Sequence, residues 1–229
     1  MAAKICVFDA YGTLFDVAAA AREAASEPDM LAIANSWEKV ANEWRLKQLQ
    51  YSWIRAIVGE HADFWTVTSD GLDWALKNNG LDGNANLRER LLALYRELAA
   101  YPEVPATLSR LRASGKSTAI LSNGSPSMLD SAVKAAGIES LLDAVLSVES
   151  VGVFKPNRYV YDLVGRRFGG KPSEVLFASS NGWDASSAAH FGFYSIWVNR
   201  SGEPVDNLPW KPNKIVDDLS EIPSIANRA

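Results

Sequence analysis

Short apolar runs separated by helix-like stretches dominate the pattern of hydrophobic and polar positions along the chain. Five runs are rich in β-branched residues: KICVFDA (4–10), STAILSN (117–123), AVLSV (144–148), VLFASS (175–180) and YSIWVN (194–199). Each has the length of a strand, and most lack the polar alternation of a strand with one face in solvent. This pattern is typical of strands that are buried on both faces of a parallel sheet.

Helix-like stretches alternate with the later runs. They are PATLSRLRAS (105–114), PSMLDSAVKAAG (126–137), NRYVYDLVGRRFG (157–169) and WDASSAAHFG (183–192). Alternation of this kind predicts an α/β fold with a doubly wound, Rossmann-like parallel sheet. The segment from about residue 201 contains four prolines and is predicted to be rich in loops.

A long helix-like block interrupts the alternation after the first run. SWEKVANEWRLKQLQYSWIRAIV (36–58) places Val40, Ala41 and Trp44 at helical spacing, and two further stretches continue the pattern. The sequence therefore predicts two domains. An α/β core domain is formed by residues 1–15 and 99–229, and a helical cap domain, residues 16–98, is inserted after the first strand.

Composition and charge narrow the choice of partners and location. The 229 residues are 48% hydrophobic and 22% charged, which is ordinary for a globular protein. A net charge of -4 gives no general electrostatic reason to bind nucleic acid or an anionic membrane. The single cysteine, Cys6, excludes an intramolecular disulfide, and no signal peptide or membrane span is recognisable. We therefore expect a cytoplasmic protein without nucleic-acid or membrane partners.

Polar side chains stand where several predicted strands end. They are Asp9 after the first run, Ser122 and Asn123 after the second, Lys155 after the third, and Ser179, Asn181 and Asp184 at or after the fourth. Ligands of open parallel sheets bind at the carboxyl ends of the strands. These groups are therefore predicted to converge on one site beneath the cap.

Four stretches resemble, in order, the motifs of the haloacid dehalogenase (HAD) superfamily: VFDAYGTLF, ILSNGSP, VFKPNRYVY and FASSNGWDA. Most members of that superfamily are magnesium-dependent phosphatases, whose first motif has the form D-x-D-x-T and whose fourth carries clustered acids. Here Tyr11 stands at the second aspartate position, and Asp184 is the one acid of the fourth motif. The chain thus departs from the phosphatase pattern in two places.

Both departures have a chemical interpretation. The second aspartate of a phosphatase protonates an alkoxide leaving group, a task for which Tyr11 is a weak acid at neutral pH. A halide leaves without a proton. Mg²⁺ prefers several hard oxygen ligands, and the site offers few carboxylates. We therefore expect neither a metal nor any other cofactor. The departures resemble those of the L-2-haloacid dehalogenases, also called (S)-2-haloacid dehalogenases, and WRLKQLQYSW (44–53) resembles the cap motif of that family.

This resemblance implies a hydrolase acting on carbon–halide bonds. It implies that L-2-haloalkanoic acids are converted to D-2-hydroxy acids through an aspartyl ester on Asp9, with Lys155 orienting Asp9 and Asp184 positioning water. The remaining implied catalytic residues are Arg45, Thr13, Ser179 and Asn181. The implied substrate-binding residues are Tyr11, Arg45, Leu49, Phe64, Ser122, Asn123, Tyr161 and Trp183. The implied ligands are a 2-haloacid and halide, and the implied assembly is a homodimer.

Other interpretations remain open from sequence alone. Arg45 could be solvated on its helix, Tyr161 could simply pack, and Phe64 and Trp183 could belong to the core. The two histidines, His61 and His190, are isolated and receive no role. The alternative function is a magnesium-dependent HAD-type phosphatase acting on a small phosphate ester. A third possibility, a non-catalytic module, is disfavoured because Asp9, Lys155 and Asp184 are all retained.

Overall fold

A computed structural model describes residues 3–228. Its strands are β1 (Ile5–Phe8), β2 (Ser117–Ser122), β3 (Ala144–Ser147), β4 (Val175–Ser179), β5 (Tyr194–Val198) and β6 (Lys214–Val216). They form one six-stranded sheet in the order β3-β2-β1-β4-β5-β6, and every neighbouring pair is parallel. The chain runs outward from β1 in both directions, so the strand order reverses between β1 and β4. The predicted doubly wound α/β sheet is confirmed.

The helices occupy most of the stretches that the sequence marks as helical. They are α1 (Ala19–Ser26), α2 (Trp37–Val58), α3 (Phe64–Asn78), α4 (Ala85–Arg96), α5 (Val104–Ala113), α6 (Pro126–Ala135), α7 (Arg158–Phe168), α8 (Gly182–Phe191) and α9 (Ile222–Ala226). Asp63 caps the start of helix α3 by accepting a hydrogen bond from the backbone N–H of Trp65 at 2.7 Å. Across residues 3–228, no helix has both the length and the apolar character that crossing a bilayer requires.

Central strands bury apolar side chains on both faces, as their sequences predict. Every residue of β1 and β4 is buried. Cys6 is fully buried in β1, and burial raises the pKa of its thiol to about 12. The cysteine is therefore a core residue and stays a neutral thiol at physiological pH.

The inserted block forms four helices, α1 to α4, between β1 and α5. Helix α2 packs along α3, and the buried Trp44 indole N–H donates to the Thr68 carbonyl at 2.8 Å. Helix α1 packs against α4, where Arg90 forms a bidentate ion pair with Glu27. The predicted face containing Val40 and Trp44 is buried within this block. The division into two domains at residues 15 and 99 stays a prediction.

The carboxyl-terminal segment is more ordered than its prolines suggest. Strand β6 extends the sheet beside β5, and α9 follows it. The side chain of Asn213 initiates this pairing: its Oδ1 accepts from the Ser195 backbone N–H, and its own backbone N–H donates to the Ser195 carbonyl, both at 2.8 Å. The segment from residue 201 is otherwise rich in loops, as predicted, and the strand was not anticipated because three residues that include a lysine leave too short an apolar pattern.

Candidate active site

Asp9 lies at the carboxyl end of β1, where the strand order of the sheet reverses. Its backbone N–H donates to the Ala178 carbonyl of β4 at 2.9 Å, which ties the two neighbouring strand ends together. The chain then turns through Gly12, whose φ of +87° is in the left-handed region. A Cβ on Gly12 would lie 3.0 Å from Ser180 Oγ, so glycine also permits the close approach of the β4 loop. This turn returns Thr13 to Asp9.

Three side chains donate hydrogen bonds to the Asp9 carboxylate. Lys155 Nζ donates to Oδ1 at 3.1 Å, whereas Thr13 Oγ1 and Asn181 Nδ2 donate to Oδ2 at 3.0 and 3.1 Å. Asp9 is only 6% exposed, so little water competes with these donors. The carboxyl group is therefore held in one orientation at the wall of the site.

Lys155 is a buried ammonium group between two carboxylates. Its Nζ lies 3.1 Å from Asp9 Oδ1 and 2.8 Å from Asp184 Oδ2, and the residue is 1% exposed. Burial alone would lower the pKa of Lys155, but the charges of Asp184 and Asp9 raise it above its ordinary value. The Asn123 side-chain oxygen accepts the backbone N–H of Lys155 at 2.9 Å and fixes the loop that carries it. Lys155 thus supplies a permanent positive charge to the site.

Asp184 completes this charged cluster from the first turn of α8. Its Oδ2 accepts from Lys155, and its Oδ1 accepts from the Tyr161 hydroxyl at 2.6 Å. Complete burial raises the pKa of Asp184 above the ordinary range, although Lys155 opposes this shift. Burial also raises the pKa of Tyr161 well above its ordinary value, so its hydroxyl remains a donor.

Arg45 reaches the site from α2. Its guanidinium donates to the Tyr11 carbonyl at 3.1 Å and to Asn181 Oδ1 at 3.3 Å, and Gln48 Oε1 orients it at 2.7 Å. Gln48 itself is buried and bonded to Thr68. The interpretation of Arg45 as a solvated surface residue is therefore wrong, because its donors point across to the sheet.

Aromatic and aliphatic side chains cover the remaining walls. Tyr11 is 2% exposed, stacks on Tyr95 with ring centroids 5.6 Å apart, and lies 6.1 Å from Phe64. Burial raises the pKa of Tyr11 well above its ordinary value, so it cannot serve as a proton donor of ordinary acidity. Trp183 meets Trp53 edge to face at 5.3 Å. One cavity is lined by Asp9, Tyr11, Arg45, Leu49, Phe64, Ser122, Asn123, Lys155, Asn181 and Trp183.

The other predicted site residues lie behind this cavity. Thr13 bonds to Asp9, and Asp184 bonds to Lys155, both of which line the cavity. Tyr161 bonds in turn to Asp184. Ser179 Oγ accepts the backbone N–H of Asn181 at 3.2 Å and so stabilises the turn that carries Asn181. Sequence reasoning missed Ser180, whose backbone N–H donates to Thr13 Oγ1 at 2.8 Å and orients it. The sequence could not predict this role, because any residue other than proline offers a backbone N–H at that position.

Carboxylates at the site are few, as the sequence predicts. Within residues 3–228, no group of three or more His, Cys, Asp or Glu side chains is arranged to hold a metal ion. The two acids of the site, Asp9 and Asp184, both contact the ammonium of Lys155. The expected lack of a metal requirement stays a prediction.

Comparison with known proteins assigns the chain to a family. The model of the haloacid dehalogenase-like hydrolases matches residues 3–192. The chain belongs to this family. Among haloacid dehalogenase-like hydrolases, (S)-2-haloacid dehalogenase 1 of Pseudomonas sp. strain CBS-3 is 41% identical over 225 residues, which cover 98% of this chain and 97% of the relative. (S)-2-haloacid dehalogenase 4A of Burkholderia cepacia is 41% identical over 220 residues, covering 96% and 93%.

A solved structure extends this similarity to three dimensions. The crystal structure of L-2-haloacid dehalogenase from Xanthobacter autotrophicus with chloropropionic acid covalently bound superimposes with a TM-score of 0.85 and 36% sequence identity. The alignment covers 97% of this chain and 98% of that one. The predicted resemblance to the (S)-2-haloacid dehalogenases of the haloacid dehalogenase-like hydrolases is confirmed, and so is the prediction of a hydrolase.

Proposed function

We propose that the enzyme hydrolyses L-2-haloalkanoic acids to D-2-hydroxy acids through an ester on Asp9, without a metal ion. The observation that carries the proposal is the Asp9 carboxylate, which three donors hold at the wall of a cavity that Arg45 also enters. The relatives named (S)-2-haloacid dehalogenase, with up to 41% identity over nearly the whole chain, support the substrate class.

In the first step, an oxygen of Asp9 attacks carbon 2 of the substrate. A carbon–oxygen bond forms as the carbon–halogen bond breaks, and the halide departs with the bonding electron pair, which inverts the carbon centre. Arg45 stabilises the negative charge that develops on the halide. Leu49, Phe64 and Trp183 line the cavity and keep bulk water from the reacting carbon.

Ser122 and Asn123 are suited to bind the substrate carboxylate. The Ser122 oxygen accepts a hydrogen bond from the Gly124 backbone N–H at 3.0 Å, which leaves the hydroxyl hydrogen free to donate. The side-chain oxygen of Asn123 accepts from the Lys155 backbone N–H, so the NH₂ group of Asn123 points away from Lys155 N–H and is not used in that bond. Both residues line the cavity and can therefore offer donors to an anion.

In the second step, water attacks the ester carbonyl carbon of Asp9. Asp184 accepts a proton from that water, and the raised pKa of its buried carboxyl makes it a stronger base than an ordinary aspartate. The ester bond then breaks, the alkoxide of the product takes the proton that Asp184 had accepted, and Asp9 regains its carboxylate with an oxygen from water as the remaining proton of that water passes to solvent. Lys155 keeps its charge in both steps and holds the side chains of Asp9 and Asp184 in position.

A halide-release assay with the two enantiomers of 2-chloropropionate tests this proposal. We expect release from the L enantiomer alone, at a rate that a metal chelator does not change. The chelator should have no effect because Lys155 and Arg45 supply the positive charge and because halide needs no proton donor. Magnesium-dependent release of phosphate from small phosphate esters, without halide release, would instead identify the phosphatase alternative.

The pH dependence of kcat/KM is a second test. The pKa values of Lys155, Tyr11 and Tyr161 all lie above their ordinary values. None of these groups therefore loses its proton below about pH 10. We expect kcat/KM for halide release to remain level between about pH 7 and pH 10, whereas kcat, which includes hydrolysis of the ester, should fall on the acid side as Asp184 becomes protonated. An alkaline decline centred near pH 8 would contradict the assignment of Lys155 as a permanent cation.

The homodimer and the cytoplasmic location stay predictions. The exposed apolar side chains of Leu46, Ile54 and Ile57 on α2 support the first, because they offer a surface that a second copy could cover.

A further inference from the structure

Two side chains join the inserted helices to the rest of the molecule by hydrogen bonds. Considering residues 3–228, the side-chain hydrogen bonds that cross from residues 16–98 to the sheet and its loops come from Arg45 and His61. Arg45 enters the cavity, whereas His61 belongs to the loop between α2 and α3 and does not line it. His61 therefore has no direct part in the proposed chemistry.

The partner of His61 is Glu149, in the turn that follows β3. His61 Nε2 lies 3.0 Å from Glu149 Oε2, and because a carboxylate accepts, Nε2 carries the proton. The two side chains are only 21% and 24% exposed. In the described part of the chain, the remaining polar atoms, His61 Nδ1 and Glu149 Oε1, are buried without a hydrogen-bond partner. Removing either residue would strand a buried polar group of the other.

Both ends of this contact are attached to residues of the cavity. The His61 ring packs on Phe154, with centroids 4.6 Å apart, and Phe154 immediately precedes Lys155. Phe154 also packs on Phe64, the cavity residue that begins α3, at 5.8 Å. A shift of His61 would therefore move Phe154, and with it one wall of the cavity and the loop that carries Lys155.

Glu149 is anchored just as firmly on the other side. Its backbone N–H donates to Ser147 Oγ at 3.2 Å, and that hydroxyl donates to the Gly124 carbonyl at 2.7 Å. Gly124 follows Asn123, which lines the cavity. The acceptor for His61 is therefore built on the same loops that form the floor of the site.

We propose that the His61–Glu149 hydrogen bond is a positioning contact that holds the inserted helices closed over the cavity. The inference rests on the proposed dehalogenase function. Residues 16–98 supply Arg45, Leu49 and Phe64 to the cavity, so a site with these helices displaced lacks one wall. Substrate binds the closed arrangement, and loss of the contact lowers the closed fraction. The apparent affinity for substrate falls in proportion to the closed fraction, whereas kcat of the bound complex is unchanged.

Steady-state kinetics of His61→Ala and Glu149→Ala test the contact. Each variant should raise KM for L-2-chloropropionate about fivefold and leave kcat within about twofold. The double variant should have a KM no higher than that of either single variant, because the two changes remove the same interaction and leave no stranded polar group. Glu149→Gln, which keeps an acceptor oxygen, should stay close to the wild type. Arg90→Gln is the matched control, since it removes the Arg90–Glu27 pair within the helices and should leave KM unchanged.

The two histidines of the chain permit a test that does not require turnover. With isotope-labelled histidine, Glu149→Gln and Glu149→Ala should move the imidazole nitrogen resonances of His61. Those of His190, which packs on Trp210, should stay in place and serve as an internal control. Unmoved His61 resonances, or unchanged KM in both alanine variants of an active enzyme, would overturn the proposal. Absence of halide release by the wild type would instead reject the dehalogenase function, and this inference with it.

Discussion

Asp9→Asn is expected to abolish halide release from L-2-haloacids, with a loss of roughly 10⁴-fold or more in kcat, as befits removal of a nucleophile. The amide matches the carboxylate in size but lacks its charge and its nucleophilicity. Lys155 keeps its shorter contact to Asp184, so the fold should remain intact. The measurement is halide release together with circular dichroism of the variant. Intact-mass analysis distinguishes true residual activity from slow deamidation back to aspartate.

Isotope incorporation tests the same residue without a substitution. In a single turnover in heavy-oxygen water, with enzyme in excess, the 2-hydroxy acid should be unlabelled, because its new oxygen comes from Asp9. The label should appear in the peptide that contains Asp9 and reach the product on later turnovers. Full labelling of the product in the first turnover would reject the ester. Asp130→Asn, an exposed change on α6, is the control and should leave both results unchanged.

Lys155→Met is expected to have the largest effect on stability. Methionine fills much of the same space, but it leaves the buried carboxylates of Asp9 and Asp184 side by side without a cation. Removing one partner of a buried charge cluster typically costs about 3–5 kcal/mol in the free energy of unfolding. For a protein of this size that corresponds to a decrease in Tm of roughly 10 °C. Differential scanning calorimetry measures the decrease, and halide release should be lost as well.

A second substitution separates charge from packing. Asp184→Asn in the Lys155→Met background removes one of the two stranded carboxylates and should restore a substantial part of the lost Tm. If the double variant were no more stable than Lys155→Met, the destabilisation would come from packing and the electrostatic account would fail. Lys134→Met is the control, because Lys134 pairs with Asp130 in solvent and should leave Tm unchanged.

The sheet and the centre of the site follow from short-range signals in the sequence. Runs such as Ile5–Phe8 are apolar at every position because both faces of a central parallel strand are buried. Once the strands are placed, their ends must meet, and this alone brings Asp9 close to the loop of Asn181. The direct contacts between Lys155 and both acids had no local signal and rested on the resemblance to a family.

Contacts between distant segments were beyond such reasoning. His61 and Glu149 lie 88 positions apart, and neither belongs to a periodic pattern, so their hydrogen bond arises only when the helices fold over the sheet. Tyr95 likewise gave no sign that it stacks on Tyr11. The role of Arg45 was ambiguous because an arginine on a helix surface is usually solvated. Its acceptors, the Tyr11 carbonyl and Asn181 Oδ1, are far from it in sequence and lie close only in the folded structure.

The two oxygens of Asp9 differ in how many donors they accept, one on Oδ1 and two on Oδ2. Oδ1 therefore has more lone-pair density free for attack on carbon. In the proposed ester mechanism, esterification of Oδ1 makes Oδ2 the carbonyl oxygen, at which Thr13 and Asn181 already point. When water adds, negative charge collects on that same oxygen. In that mechanism, the pair that restrains the resting carboxylate also serves as the oxyanion hole for hydrolysis of the ester, and it is in place before the ester forms.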